Sequence, residues 1–215
     1  MLDIHGVSKS FRKEGDLVKV FNDFSLSVNT GEFVVIKGPS GCGKTTLLLM
    51  AGTLLLPDSG SISLDGVDLV KQDQVMRARL RAEKIGFVFQ QFHLLPYFNV
   101  LDNILTCELP GGIAGLRDEA IRLIDKFGLS HRINHYPREL SSGEKQRTAL
   151  IRAIVRNPSL LLADEPLGNL DQENAIIILE AFKEFAKQGR IVVMVTHENQ
   201  ASKYADRTLS LPKTL

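Results

Sequence analysis

The chain has 215 residues, of which 44% are hydrophobic and 24% charged, enough for one large globular domain or a domain with a smaller lobe. Its 26 lysine and arginine residues nearly balance 25 aspartate and glutamate residues, so the formal net charge is +1 and no basic surplus indicates a nucleic-acid surface. The two cysteines, Cys42 and Cys107, have no cysteine or histidine at metal-ligand spacing, which favours a reduced, cytosolic chain.

The sequence predicts neither a signal peptide nor a membrane span. The N-terminus carries Asp3 and no apolar block. The longest apolar stretch, Leu47 to Leu56, is interrupted by Gly52 and Thr53, and it is shorter than the ~20 residues that a membrane span requires. We therefore expect any association with a membrane to go through a partner.

The first 36 residues are predicted to form strands. Strict alternation over Phe24 to Val28 is typical of a half-buried strand, and the continuous β-branched run from Glu32 to Ile36 indicates a buried one. A helical pattern begins at Lys44. Two further strands are predicted at Ser59 to Gly66 and at Lys84 to Gln90.

The pattern becomes helical between Phe92 and Glu139, which predicts an inserted helical lobe. The apolar stripe of this lobe comprises Leu116, Ala120, Ile121, Leu123, Ile124 and Phe127. The glycines that flank it are Gly111, Gly112, Gly115 and Gly128. We expect a single domain over residues 1–215, with a catalytic core at 1–91 and 140–215 and a helical subdomain at 92–139.

Helix and strand then alternate to the end of the chain. Helices are predicted at Glu144 to Arg156, before Asn157-Pro158, and near Glu173 to Lys187, with strands at Ser159 to Ala163 and Ile191 to Val195. This alternation predicts an α/β fold, with a mostly parallel sheet covered on both faces and an antiparallel N-terminal part.

GPSGCGKT, Gly38 to Thr45, fits the P-loop pattern G-x-x-x-x-G-K-[ST] between a predicted buried strand and a helix. In such a loop, backbone N–H groups converge on phosphate oxygens, Lys44 reaches the β- and γ-phosphates, and Thr45 offers its hydroxyl to Mg²⁺. A glycine-rich turn formed by chance is the alternative. The expected nucleotide contacts are Gly38, Ser40, Gly41, Cys42, Gly43, Lys44, Thr45 and Thr46.

Two other buried strands end in polar residues. LLLADEP, Leu160 to Pro166, ends in Asp164 and Glu165, which we expect near the metal and the γ-phosphate, with Glu165 able to deprotonate water. A solvated strand end that caps the next helix is the alternative. Thr196 and His197 follow the last strand at the same predicted edge, although a core histidine is an equal alternative for His197 taken alone.

Taken in order with the P-loop and the LLLADEP strand, these residues resemble the ATP-binding subunit of an ATP-binding-cassette (ABC) transporter: Gln90 after a buried strand, ELSSGEKQR (Glu139 to Arg147), GNLD (Gly168 to Asp171) and His197. The resemblance covers nearly the whole chain. IGFVFQQFHLLP, Ile85 to Pro96, further resembles the branch of lipoprotein-releasing, macrolide-export and cell-division ATPases. The resemblance implies a P-loop NTPase that hydrolyses MgATP.

It also implies roles for single residues. Phe11 is similar to the aromatic residue that stacks on adenine, where tyrosine is common. Asp171 corresponds to a loop that contacts the other subunit. The implied catalytic residues are Lys44, Gln90, Glu165 and His197. The implied Mg²⁺ ligands are Thr45, Gln90 and Asp164.

The ELSSGEKQR segment has two interpretations. Ser141 and Glu144 fit a helix-capping box. The resemblance adds that two subunits pack head to tail, so that Ser141 and Gly143 of each contact the ATP of the other. The family pattern is Leu-Ser-Gly-Gly-Gln. Ser142 is therefore strained if its φ is positive, and the charge of Glu144 repels phosphate unless it is screened, so we expect weakened closure.

The implied partners are a second copy of the chain and integral membrane permease subunits, at the cytoplasmic face of the plasma membrane, with no nucleic acid. The candidate residues for the groove that holds a membrane-partner helix are Phe92, Leu94, Leu95, Tyr97 and Phe98, for which a core role is an equal alternative. Two other functions stay open at this point: an ATP-gated clamp on nucleic acid or ribosomes, and a P-loop kinase acting on a small molecule.

Overall fold

A computed structural model describes residues 1–13, 16–107 and 114–212, so Gly111 and Gly112 lie outside the described residues. The strands are β1 (Leu2–Lys13), β2 (Asp16–Val28), β3 (Phe33–Lys37), β4 (Ser59–Leu64), β5 (Val67–Asp68), β6 (Ile85–Phe89), β7 (Leu160–Asp164), β8 (Ile191–Val195) and β9 (Arg207–Ser210). The helices are α1 (Lys44–Ala51), α2 (Gln74–Lys84), α3 (Val100–Leu105), α4 (Leu116–Lys126), α5 (Ser142–Ile154) and α6 (Gln172–Lys187).

The strands form two sheets. The larger is parallel, in the order β6-β7-β8-β3-β9, and the smaller is antiparallel, in the order β2-β1-β4-β5. Strand β8 is buried along its whole length, and β3 and β7 are buried except at their last residues. Such continuously apolar strands are typical of a sheet covered on both faces. This confirms the predicted α/β fold with an antiparallel N-terminal part.

The register of the parallel sheet brings three chain segments to one edge. Ile36 and Asp164 both pair with Val195, so β3, β7 and β8 end at the same level. Ligands of open α/β sheets bind beyond the carboxyl ends of the strands. The loops that follow these three strands therefore share one binding edge.

The helical part has a core of its own. Buried side chains of α3, α4 and α5 pack together, including Val100, Ile104, Leu123, Ile124 and Ile151. The prediction that Ile121 joins the apolar stripe is wrong, because 42% of Ile121 is exposed on the outer side of α4. The subdomain limits at 92 and 139 stay a prediction.

Some elements differ from the sequence prediction. Helix α2 was not predicted, because none of its residues is buried and no apolar stripe marks it; the Asp73 carboxylate caps it by accepting the Met76 N–H at 2.8 Å. The four-residue strand β9 was not predicted either. Helix α5 begins at Ser142 and ends at Ile154, two residues earlier at each end than predicted. Among the described residues, no helix is both long and apolar enough to cross a membrane.

Candidate functional site

Glycines shape the loop between β3 and α1. Gly41 and Gly43 have φ of 81° and 96°, in the left-handed region that disfavours side chains, and a Cβ on Gly43 would also overlap Val20. At Gly38, a Cβ would lie 2.5 Å from Cys42 Sγ and 3.0 Å from a backbone oxygen. Because the Cys42 side chain is buried against Gly38, its thiol faces away from the loop's outer surface.

A cleft of about 460 Å³ opens above this loop at the edge of the sheet. The predicted site residues that line it are Phe11, Ser40, Gly41, Gly43, Lys44, Thr45, Thr46, Gln90, Glu165 and His197. Gly38 and Cys42 lie outside the lining. So do Ser141 and Gly143 at the start of α5, and Asp164, which contacts Thr45 from below. Val20 also lines the cleft but was not predicted from the sequence, because nothing except its position in the predicted N-terminal strands indicated it.

Lys44 is a buried cation at the floor of the cleft. Only 8% of the residue is exposed. Its Nζ donates to the carbonyl oxygens of Gly38 and Pro39 at 2.8 and 3.2 Å and lies 3.9 Å from Glu165 Oε1. The ammonium is thus fixed between the loop and the first carboxylate beyond β7. A charge held in this way, with little water around it, interacts strongly with an anion.

Glu165 is held in an unusual backbone conformation. Its φ of 46° is in the left-handed region, which costs a non-glycine residue about 1–3 kcal/mol. Its N–H donates to the Val195 carbonyl at 2.9 Å. Its Oε2 accepts the His197 N–H at 3.2 Å and lies 2.9 Å from His197 Nδ1. The carboxylate is therefore oriented by His197 on one side, and it has Lys44 on the other.

Asp164 provides oxygen atoms next to Thr45. Burial raises the pKa of the Asp164 carboxyl, and the negative charge of Glu165 adds to this, while a hydrogen bond with Thr45 and the charge of Lys44 act against it. Its Oδ1 is buried without a hydrogen-bond partner. Among the described residues, no three His, Cys, Asp or Glu side chains cluster as a metal site. One carboxylate with hydroxyl and amide oxygens is instead the small donor set that suits Mg²⁺ bound together with phosphates.

The family comparison agrees with this geometry. The family model described as "ABC transporter" matches residues 21–168. The chain belongs to the ABC transporter family. It is 39% identical to the macrolide export ATP-binding/permease protein MacB of Chlorobaculum tepidum, with 98% of the chain and 33% of MacB covered. It is 40% identical to the lipoprotein-releasing system ATP-binding protein LolD of Shewanella oneidensis, with 98% of the chain and 93% of LolD covered.

The cassette thus spans about a third of the length of the macrolide-export relatives and most of the lipoprotein-releasing ones. Among solved structures, it matches dimeric MJ0796, a bacterial ABC transporter cassette, with a TM-score of 0.91 and 32% identity over 100% of this chain and 95% of the other. A post-hydrolysis dimer of MJ0796 with ADP and Pi matches with a TM-score of 0.90 and 33% identity, over 98% and 94% of the two chains. The predicted family and branch are confirmed, and the cassette is an ATP hydrolase.

The start of α5 resolves two expectations about the ELSSGEKQR segment. Ser141 Oγ accepts the Glu144 N–H at 3.2 Å, and Glu144 Oε2 accepts the Ser141 N–H at 2.7 Å, so the capping box is formed. Ser142 is the first helical residue and has no positive φ. The substitution of serine for glycine at this position therefore carries no backbone strain.

Asn174 links the start of α5 to the start of α6, and sequence reasoning missed it. The Asp171 carboxylate caps α6 by accepting a hydrogen bond from the Asn174 backbone N–H at 2.8 Å. It also accepts a hydrogen bond from Asn174 Nδ2 at 2.9 Å. Arg147 Nη1 donates to Asn174 Oδ1. A Cβ on Gly143 would overlap the Asn174 carboxamide. Glycine is therefore required at 143 by a close approach of the two helices.

Gly143→Ala is expected to lower the free energy of unfolding by about 1–3 kcal/mol, because Asn174 is held by Arg147 and Asp171 and cannot move freely. Urea unfolding measures the effect. Replacement of Asn174 by alanine in the same chain should recover part of the loss, and Ser142→Ala, at the exposed neighbouring position, is the matched control. Equal stability of Gly143→Ala and Ser142→Ala would contradict the steric account.

Proposed function

We propose that this cassette hydrolyses MgATP at sites shared by two head-to-tail subunits and drives separate membrane subunits that export a solute or release lipoproteins. The observation that carries the proposal is the placement of Glu165, with its carboxylate between Lys44 and His197 at the rim of the P-loop cleft. The names of the relatives give no support to a clamp on nucleic acid or to a kinase.

The groups that line the cleft have different roles in hydrolysis. The backbone N–H groups of the P-loop and the dipole of α1 bind the phosphates, with Lys44 at the β- and γ-phosphates. Glu165 accepts a proton from water as the water oxygen bonds to the γ-phosphorus and the bond to the bridging oxygen of ADP breaks. His197 holds Glu165 in place and reaches the γ-phosphate, and Lys44 offsets the charge of the transferring group.

Thr45, Gln90 and Asp164 are the proposed Mg²⁺ ligands. Their hydroxyl, amide and carboxylate oxygens fit this ion, and the buried Asp164 Oδ1 has no protein partner. Mg²⁺ would add positive charge against the phosphates. Gln90 directly follows β6 and lies in the lining of the cleft, so a change at the γ-phosphate would be passed through Gln90 to the loop that follows it.

The position of the ELSSGEKQR segment supports the proposed composite site. Ser141 is exposed and is not part of the cleft of its own chain. A capped helix start with a small residue at 143 is suited to bind an anion. In the proposed homodimer, Ser141 and Gly143 of each subunit contact the γ-phosphate bound by the other. The dimeric state of the MJ0796 cassettes supports this arrangement.

The proposed dock for a membrane subunit is a cavity of about 450 Å³ between α2, β6 and α5. Its lining includes Phe87, Phe89, His93, Cys107 and Arg152. The predicted groove residues lie in the loop beyond Gln90, where Tyr97 is 89% exposed. Leu95 and Phe98 are also exposed, whereas Phe92 and Leu94 are partly buried. A cytoplasmic helix of a permease would lie in this cavity, beside the loop beyond Gln90, with the cassette at the inner face of the membrane.

Hydrolysis at a shared site depends on the concentration of the chain. We expect the rate of phosphate release per chain to fall as the protein is diluted through the dissociation range of the ATP-bound dimer. Release of free phosphate, rather than a phosphorylated metabolite, is the expected product. Full activity per chain at high dilution, where sedimentation shows only monomer, would exclude the composite site.

Phe11→Ala is expected to raise the KM for ATP about tenfold, because the ring lies in the cleft lining, 40% exposed, and stacking of a base on an aromatic ring contributes about 1–3 kcal/mol. Phe11→Tyr retains the ring and should stay within about twofold of the parent. Phe98→Ala, an exposed aromatic outside the cleft, is the control. An unchanged KM in Phe11→Ala would remove Phe11 from the nucleotide site.

A further inference from the structure

Glu144 places a negative charge at the start of α5, where the proposed function needs a site for a phosphate. Its side chain is only 11% exposed, so water screens it poorly. An unpaired carboxylate here would oppose the phosphate of the other subunit and cancel the positive end of the helix dipole. The structure must therefore offset this charge if the segment is to bind ATP.

Arg132 provides the offset. It ends a short 3-10 helix, Ser130–Arg132, and its Nε donates to Glu144 Oε1 at 2.8 Å. The other carboxylate oxygen, Oε2, accepts the Ser141 N–H. His131 Nε2 lies 3.8 Å from Oε1, on a mostly exposed ring. Both oxygens of Glu144 are thus engaged, one by the guanidinium and one by the residue that is proposed to contact ATP.

The ion pair keeps Glu144 ionised. Burial opposes ionisation, but the hydrogen bonds from Ser141 and Arg132 outweigh it and hold the pKa of the Glu144 carboxyl below its usual range. Removal of Arg132 alone would leave the Glu144 carboxylate hydrogen-bonded to the Ser141 N–H but without its counter-charge.

We propose that Arg132 is a positioning residue of the composite ATP site, which neutralises Glu144 and fixes it against Ser141 so that the start of α5 can accept the phosphate bound by the other subunit. This inference rests on the head-to-tail dimer of the proposed function. Arg132 is necessary in this chain because position 144 carries a charged glutamate. With glutamine at 144, which keeps an oxygen for the Ser141 N–H and has no charge, Arg132 becomes dispensable.

The test is a double-mutant cycle in the Glu165→Gln chain, which is expected to bind ATP without hydrolysing it. Four proteins are compared: the Glu165→Gln parent, and the same chain with Arg132→Gln, with Glu144→Gln, or with both. The measured quantity is the ATP concentration that gives half-maximal dimer in sedimentation at saturating Mg²⁺. Arg132→Gln should raise it about tenfold, while Glu144→Gln and the double variant stay within about threefold of the parent.

Two further variants control for non-specific effects. Arg132→Lys keeps the charge and should stay within about threefold of the parent. Arg122→Gln breaks an exposed ion pair with Glu119 within α4 and should have no effect on dimerisation. Thermal unfolding of every variant separates site assembly from folding. If Arg132→Gln lowers the unfolding temperature and Glu144→Gln does not restore it, Arg132 only supports the folded structure. That result would overturn the proposal.

The outcomes distinguish this inference from the proposed function. If the Glu165→Gln parent stays monomeric at saturating MgATP, the head-to-tail dimer itself is wrong. If the parent dimerises and Arg132→Gln has no effect, or has the same effect with glutamine at position 144, the role of Arg132 is overturned while the dimer stands. Rescue of Arg132→Gln by Glu144→Gln is the result that the inference predicts.

Discussion

Glu165→Gln is expected to reduce the rate of ATP hydrolysis by at least a hundredfold while ATP affinity stays within about threefold, since general-base catalysis contributes about 10²–10⁴. The carboxamide has nearly the same shape and its oxygen can still accept the His197 N–H. It cannot take a proton from water. Release of phosphate measures the rate, and calorimetry of nucleotide binding measures the affinity.

Glu198→Gln is the matched control for this variant. Glu198 Oε1 also approaches His197, at 3.7 Å from Nε2, but its side chain is 39% exposed and is not part of the cleft lining. We expect its rate to stay within about twofold of the parent. If Glu165→Gln retained more than a tenth of the parental rate, another group, such as Asp164 or His197, would have to accept the proton.

Lys44→Met is expected to weaken ATP binding about a hundredfold, because each hydrogen bond between a charged donor and a phosphate contributes about 1.5–3 kcal/mol. The effect is large because only 8% of the Lys44 residue is exposed, so little water competes for its ammonium group. Methionine keeps most of the volume of the side chain and therefore limits the packing change. Equilibrium binding of ATP, measured in the Glu165→Gln chain, isolates affinity from turnover.

Lys37→Met is the control for Lys44. Lys37 is the last residue of β3, just before the P-loop, and its Nζ donates to Asn199 Oδ1 at 2.9 Å outside the cleft. Its replacement should change ATP affinity by less than about twofold. Equal affinities of the Lys44 and Lys37 variants would contradict the assignment of the cleft as the phosphate site.

The sequence predicted that the candidate site residues converge at one edge of the sheet, because their motifs lie at strand ends. The apolar runs before Gly38, Asp164 and Thr196 determine where three buried strands end, and parallel strands bring those ends together. The P-loop pattern also requires specific residue types, since positive φ at Gly41 and Gly43 excludes most side chains. Local pattern and tertiary position are therefore linked at this edge.

Contacts between distant segments could not be predicted in the same way. Nothing periodic marks the approach of Asn174 to Gly143, or the pairing of Arg132 with Glu144 across a turn. Helix α2 has a side-chain cap but no buried residue, and Leu80 packs only partly buried against the core, so hydrophobic periodicity does not indicate the helix. Ile121 is the opposite case, because it is apolar and fits the predicted stripe but is exposed in the structure.

ATP-dependent dimerisation of the Glu165→Gln chain tests the composite site most directly. Sedimentation should show monomer without nucleotide and dimer with MgATP. Ser141→Asp keeps an oxygen to cap α5 but adds a negative charge, so it should abolish the dimer while each monomer still binds ATP; the neutral Ser141→Asn should retain it. A chain that stays monomeric with MgATP, or a Ser141→Asp chain that dimerises as well as Ser141→Asn, would contradict the account.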